Sequence, residues 1–207
     1  MKQTCCGLPL FSVSEENAAR DLAARNIEAF SNIDCDHIVT LCASCASHLK
    51  NHYIKMFRPG STVHKKIEIF AGKVIDFSSF MANVLKVSPP EFRRSKKKAA
   101  YHSPCHLCRG LNVTKEPRKL IEIAGFTYVP SKDEDVCCGF GGSYSMDFPE
   151  ISSEILRKKL DNVEESETEI LLTDCPGCVM QLRRGMDKRE KRIQVRHIAE
   201  AMAEQRI

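Results

Sequence analysis

The sequence predicts an α/β fold made of two tandem repeats, each with a short parallel sheet, and three observations predict it. Short apolar runs alternate with longer stretches of helical periodicity, the pattern of strands joined by crossover helices. A cysteine figure occurs twice along the 207 residues. In both copies its closing CxxC pair follows directly on an apolar run, so strand, cysteine turn and helix succeed one another as one α/β unit.

The figure is complete in the second half: Cys105, then 31 residues to Cys137-Cys138-Gly139, then 36 residues to Cys175-Pro-Gly-Cys178. In the first half Cys5-Cys6-Gly7 is followed after 35 residues by Cys42-Ala-Ser-Cys45. Subtracting 132 from Cys138 gives Cys6, and subtracting 133 from Cys175 gives Cys42. The same shift puts the counterpart of Cys105 ahead of Met1, so the first repeat is expected to be truncated at its N-terminus. Residues 1–92 and 93–207 are the expected domains.

Taken in order, Ser12-Val-Ser-Glu15 has capping-box spacing, and Ala19, Leu22, Ala23, Ile27 and Phe30 then share one side of a helix. A strand within 36–41 delivers Cys42 at its C-terminal end, and a helix resumes from Ala46 to about Met56. Arg58-Pro-Gly-Ser61 breaks the chain. Residues 63–85 read as two helical pieces divided near Gly72. The basic run from Arg93 to Lys98 reads as a solvated linker between repeats, with a docking patch for an acidic partner as the alternative.

In the second half a strand ends at Tyr101, and Pro104 sets the turn that carries Cys105. A helix over 117–124 stops at Gly125, and Phe126 to Val129 forms the next strand. Three glycines in four positions make 137–142 a loop. Pro149 opens a helix with Ile151, Ile155, Leu160 and Val163 inward. Ile170 to Thr173 is the strand matching Ile38 to Leu41, Gln194 to Arg196 an edge strand, and Ile198 to Gln205 the closing helix.

A net charge of +4 with 28% charged residues is a mild basic excess and gives no reason to expect nucleic acid as a partner. Eleven cysteines grouped as CC and CxxC point to metal in a reducing compartment rather than to a disulfide framework. Neither a signal peptide nor a long apolar run is visible. The expected location is cytoplasmic, or peripheral to a membrane through a partner.

Soft thiolates select zinc, copper(I) or iron-sulfur units. Five thiols from three segments, Cys105, Cys137, Cys138, Cys175 and Cys178, exceed one tetrahedral zinc site and suit an iron-sulfur cluster, with zinc kept as the alternative. Gly139, Gly141 and Gly142 supply the kink that lets adjacent cysteines face one centre, and their amides are candidates to hydrogen-bond cluster sulfides. Cys5, Cys6, Cys42 and Cys45 form the matching set that lacks its upstream member. Cys35 and Cys108 lie outside the figure and are expected to be free buried thiols. His102 and His106 flank Cys105, where a hydrogen bond to a sulfur accounts for a histidine without ligation. Phe140 and Tyr144 read as lid or packing residues. No GxGxxG follows a strand, so a flavin is expected on another chain.

The run Tyr101-His-Ser-Pro-Cys-His-Leu, the run Cys137-Cys-Gly-Phe-Gly-Gly-Ser-Tyr-Ser, Pro149-Glu-Ile-Ser, Asp174-Cys-Pro-Gly-Cys-Val-Met-Gln and Arg196-His-Ile-Ala-Glu together resemble the cysteine-rich CCG domain. That domain occurs twice in the cysteine-rich subunit of heterodisulfide reductase and in the iron-sulfur subunits of glycolate oxidase, lactate dehydrogenase and anaerobic glycerol-3-phosphate dehydrogenase. Within the group the lactate or glycolate utilisation iron-sulfur proteins are the most similar. The resemblance implies a Rossmann-like repeat holding a 4Fe-4S cluster, noncubane in heterodisulfide reductase, on the five cysteines of each repeat. It also implies an electron-transfer subunit. A flavin-containing dehydrogenase subunit would be the donor and a quinone or membrane-associated acceptor the recipient. Disulfide reduction at the cluster and a zinc-stabilised structural module are the alternative readings.

Overall fold

A computed structural model describes residues 3–207 and divides the chain into two compact units, Met1–Asp76 and Phe77–Ile207. Every strand pairing in both is parallel, as expected for an α/β fold with crossover helices.

The first unit runs α1 (Leu8–Ser12), α2 (Glu16–Ser31), β1 (Ile38–Thr40), α3 (Ala43–Ser47, continued by a π turn and a 3-10 turn to Met56), α4 (Thr62–Lys73) and β2 (Val74–Asp76). β1 pairs with β2, and Ala23, Ile27, Tyr53, Ile67, Phe70 and Val74 form the core. Two expectations are corrected here. The Ser12 hydroxyl bonds the Pro9 carbonyl within α1 rather than capping α2, which starts at Glu16 after Ser14 turns into left-handed backbone at φ 64°. Residues 63–85 do form two helical pieces, but α4 runs through Gly72 and the division is a strand, Val74–Asp76, that finds its ladder on β1 before a second helical piece starts at Phe77.

The second unit runs α5 (Phe77–Ser79, continued by a π turn to Val84), a 3-10 turn at Pro89–Glu91, β3 (Lys98–Tyr101), α6 (Cys105–Cys108), α7 (Lys115–Ile123) and β4 (Thr127–Tyr128). It continues with α8 (Tyr144–Asp147), α9 (Pro149–Glu165), β5 (Ile170–Thr173), α10 (Pro176–Lys188), β6 (Gln194–His197) and α11 (Ile198–Gln205). The sheet order is β4-β3-β5-β6. All four residues of β5 are buried, as a parallel strand covered on both faces requires. One core cluster joins Tyr101, Leu120, Ile121, Leu172, Ile198 and Met202.

Residues 77–92, grouped with the first half by the sequence reading, pack onto this second core through Phe77, Ala82 and Phe92. The basic run lies inside this unit, where the Arg93 N–H donates to the Gln205 carbonyl and the Ser95 N–H to the Gly125 carbonyl. Gly125 is at φ +85°, and a Cβ there would collide with the Arg93 carbonyl oxygen, so only glycine closes α7 here. Among the described residues no helix is long and apolar enough to cross a membrane.

The repeat extends to strand register. Ile38, Val39 and Thr40 face Val74, Ile75 and Asp76, just as Leu171, Leu172 and Thr173 face Val195, Arg196 and His197. Positions 133 apart in β1 and β5 therefore meet positions 121 apart in β2 and β6.

Candidate metal centre

Because β3 and β5 are parallel neighbours, the residues that follow them leave the sheet at one end. The His102 N–H carries the ladder one step further, donating to the Leu172 carbonyl at 2.8 Å. Pro104 then turns the chain into α6, which opens with Cys105. On the neighbouring strand Cys175 keeps extended backbone and caps α10, placing Cys178 in that helix's first turn.

The third segment is brought in by the loop after β4. The Ser103 N–H donates to the Glu134 carbonyl at 2.9 Å. Glu134 in turn receives hydrogen bonds from Arg118 Nε at 2.8 Å and the Tyr128 hydroxyl at 2.6 Å. Beyond Cys138 the chain reverses at Gly139, φ +85°, whose missing Cβ would lie 2.6 Å from the Ser152 carbonyl oxygen. The Ser152 hydroxyl bonds the Gly139 carbonyl at 2.7 Å, and Gln181 Nε2 bonds that hydroxyl at 3.1 Å, tying the loop to α9 and α10. Gly141 and Gly142 also have positive φ.

These constraints bring five thiols into a continuous series. Each thiol acts on the titration of the next: Cys105 with Cys137, Cys137 with Cys138, Cys138 with Cys178 and Cys178 with Cys175. Donation from Cys105 and Cys138, reinforced by the Gly139 N–H at 3.3 Å from its sulfur, holds the Cys137 thiol far below the ordinary range. The same bonds push the donors up: Cys105 chiefly through Cys137, and Cys178 through Cys138 and Cys175. Neighbouring sulfurs that compete for protons in this way could, once deprotonated, serve together as ligands of a bound metal.

Two nitrogen-bearing side chains are buried beside them. His102 is 1% exposed, neither ring nitrogen has a hydrogen-bond partner among the described residues, and its ligand atom lies within 4.8 Å of the Cys138 and Cys178 sulfurs. Burial and the charge of Lys159 lower its pKa to about 3, leaving the neutral imidazole. Lys159, on α9, is 2% exposed, and its ammonium donates to the Asp133 carbonyl. Burial lowers its pKa, while Cys138 and the carboxylates of Asp133, Asp135 and Glu134 oppose that shift. Asp174, just before Cys175, accepts from the Ser78 hydroxyl at 2.5 Å and the Tyr101 hydroxyl at 2.7 Å, and Arg118 lies over the Tyr101 ring.

The first unit gathers the other four thiols. The titration of Cys6 depends on Cys45 and Cys5, and that of Cys45 on Cys42. Donation from Cys45 lowers the Cys6 thiol to about 6, and Cys45 is raised by Cys42 and Cys6. Gly7 repeats the turn of Gly139 at φ +89°, and its missing Cβ faces the Ala19 carbonyl as that of Gly139 faces Ser152. Asn26 Nδ2 bonds the Cys5 carbonyl at 2.9 Å, and the Tyr53 hydroxyl bonds the Cys6 carbonyl at 2.8 Å.

All nine predicted thiols thus fall into two groups, one per unit. Cys35 and Cys108 are half-buried rather than buried. Cys108 lies on α6 with its thiol on the Cys105 carbonyl, outside the series. Phe140 packs on Gly177, and the Tyr144 ring lies tilted against Phe148, centroids 5.1 Å apart. Leu160 and Val163 are buried on α9 as expected, but Ile151 is 53% exposed, its inward place taken by Ser152, which bonds the Gly139 carbonyl. Ser152, Lys159, Gln181 and Glu134 were not singled out from the sequence. Lys159 had a signal there: a cation on the same helical stripe as Leu160 and Val163.

The family model described as "Cysteine-rich domain" matches residues 1–50 and 99–183. "Lactate utilization protein A" of an Exiguobacterium species is 31% identical over 204 residues, covering 98% of this chain and 82% of that protein. The proteins of the same name from Shouchella clausii and Bacillus licheniformis are each 33% identical over 202 residues, covering 97% of this chain and 82% and 83% of theirs.

Proposed function

Because the chain belongs to the cysteine-rich CCG domain family, we propose that it is an iron-sulfur electron-transfer subunit of a lactate-oxidising system. The observation that carries this reading is the unbroken series of five thiols from three distant segments. Five exceeds what one zinc ion takes, and a cluster of several irons uses them all. The surroundings fit such a group: the Gly139 N–H already donates to a sulfur, and His102 has two buried nitrogens without partners among the described residues. Orphaned buried polar atoms beside clustered thiols call for a bound centre.

Cys105, Cys137, Cys138, Cys175 and Cys178 would hold a 4Fe-4S cluster in the second unit. Cys5, Cys6, Cys42 and Cys45 would contribute to a second centre in the first. A bound cluster supplies one-electron redox chemistry at a potential set by its hydrogen bonds and surrounding charge. The protein's part is to fix the thiolates, shield them from water and present amide donors at Gly139, Gly141 and Gly142. A flavin-bearing partner would take electrons from the hydroxy acid, and a quinone or membrane-associated acceptor would receive them.

The test is anaerobic purification with iron and zinc quantitation and electron paramagnetic resonance. At least about four irons per chain and a signal that appears or vanishes on reduction are expected. Colourless protein with stoichiometric zinc would establish the structural-module reading instead.

A further inference from the structure

The internal repeat exposes a difference in charge between the two thiol groups. Gly7 packs against the Ala19 carbonyl on α2, and Gly139 against the Ser152 carbonyl on α9. Seven residues on, two helical turns along the same stripe, stand Asn26 in the first unit and Lys159 in the second. Both are buried, at 3% and 2% exposure. The amide of Asn26 is neutral, and its two groups are used by Cys5, Thr4 and Tyr53. Lys159 brings a cation to the equivalent place.

Among the described residues that cation has no carboxylate within ion-pair distance. Glu134 is paired with Arg118, and the Asp133 carboxylate receives Asn162. Lys159 meets only the Asp133 carbonyl, leaving two of its three N–H donors without an acceptor among the described residues. A buried, unpaired ammonium is strongly disfavoured unless an anion compensates it. Of the groups named as acting on it electrostatically, the buried one that can carry compensating negative charge is the Cys138 thiol, 2% exposed; Asp133, Asp135 and Glu134 lie nearer the surface.

We infer that Lys159 is the counter-cation of the second unit's thiolate centre and holds that centre's reduction potential above the value it would have with the neutral residue of the first unit. The inference rests on the iron-sulfur reading. A fixed positive charge stabilises the reduced, more negative state of a cluster, and in a water-poor site that attraction is weakly screened. Lys159 touches no substrate; it acts through the centre as a positioning and charge-balancing residue. The competing account is mechanical: Lys159 merely ties α9 to the loop through the Asp133 carbonyl.

Potentiometric titration followed by electron paramagnetic resonance separates the two on the full chain, purified anaerobically as wild type, Lys159→Asn and Lys159→Arg. The second-unit centre is assigned as the signal absent from Cys105→Ser. The expected result is full iron in all three, a midpoint in K159N shifted to more negative values, and a midpoint in K159R close to wild type. Loss of iron from K159N with retention in K159R also supports the inference, since charge then decides whether the centre is held. An unshifted midpoint in K159N overturns it. So does an equal shift in K159R, or loss of iron from both variants, because shape rather than charge then governs. Wild-type protein without iron overturns the iron-sulfur reading itself, an outcome distinct from each of these.

Discussion

The Ser103 N–H donates to the Glu134 carbonyl at 2.9 Å, and this backbone bond fastens the loop entering Cys137 to the turn that carries Cys105. The Glu134 side chain holds the same loop from the other side through Arg118 and Tyr128. Glu134→Ala removes the side-chain anchor while leaving the backbone bond available. A loss of about 1.5–3 kcal/mol is expected from unmaking hydrogen bonds to a charged group. The lowered midpoint of chemical unfolding reads the stability, and faster loss of iron to a chelator reads the loosened approach of Cys137 to Cys105.

Substitution along the glycine loop should grade with space. Gly139→Ala puts a methyl 2.6 Å from the Ser152 carbonyl at a left-handed backbone position. About 1–3 kcal/mol of strain and a fall in bound iron are expected. Gly142→Ala shares the positive φ but meets nothing within 4 Å, so it should cost about 1 kcal/mol and leave the iron in place. Parallel unfolding curves and iron assays check the ordering.

Tyr101 gives the protein an alkaline limit. Burial, with the Asp174 carboxylate second, holds its phenol well above the ordinary value, and Tyr128 is raised to about 12 by burial and Glu134. In the unfolded chain a tyrosine ionises near about 10. The stability these groups confer is therefore complete below about pH 10 and is lost as pH rises from there toward the folded values. The expected slope is up to about 1.4 kcal/mol per pH unit for each such tyrosine. Tyr101→Phe should flatten it, although the variant starts less stable at neutral pH because Asp174 loses a 2.7 Å hydrogen bond. Unfolding free energies from about pH 8 to 11 measure both effects.

The cysteines divide by the same logic. Cys105→Ser breaks the series at its first thiol and should abolish the second-unit signal. Cys35→Ser and Cys108→Ser should leave iron content and spectrum unchanged, since neither thiol joins a group. Iron per chain in the three variants decides.

Much of this architecture was legible in the residues. The cysteine figure exposed the repeat, and each CxxC pair marked a strand end because a parallel α/β sheet gathers its ligands there. β2 was hidden: Val74-Ile75-Asp76 is too short to carry a period of its own, and it becomes a strand only through β1. Lys159 was hidden in a different way. It follows Arg157 and Lys158, whose side chains pair with Glu154 on the surface, so the run looks uniformly solvated. Helical geometry sends the third cation inward while its neighbours face water.

The first unit keeps the strand register of the second although its crossover from β1 to β2 contains an additional helix, α4. Length is thus a free variable between the last thiol and the following strand, while spacing around the thiols is not. The corresponding stretch of the second unit, where 190–192 are exposed, is accordingly the place to splice in a spectroscopic label or an affinity handle. Such a graft would report on the thiol cluster without displacing any sulfur.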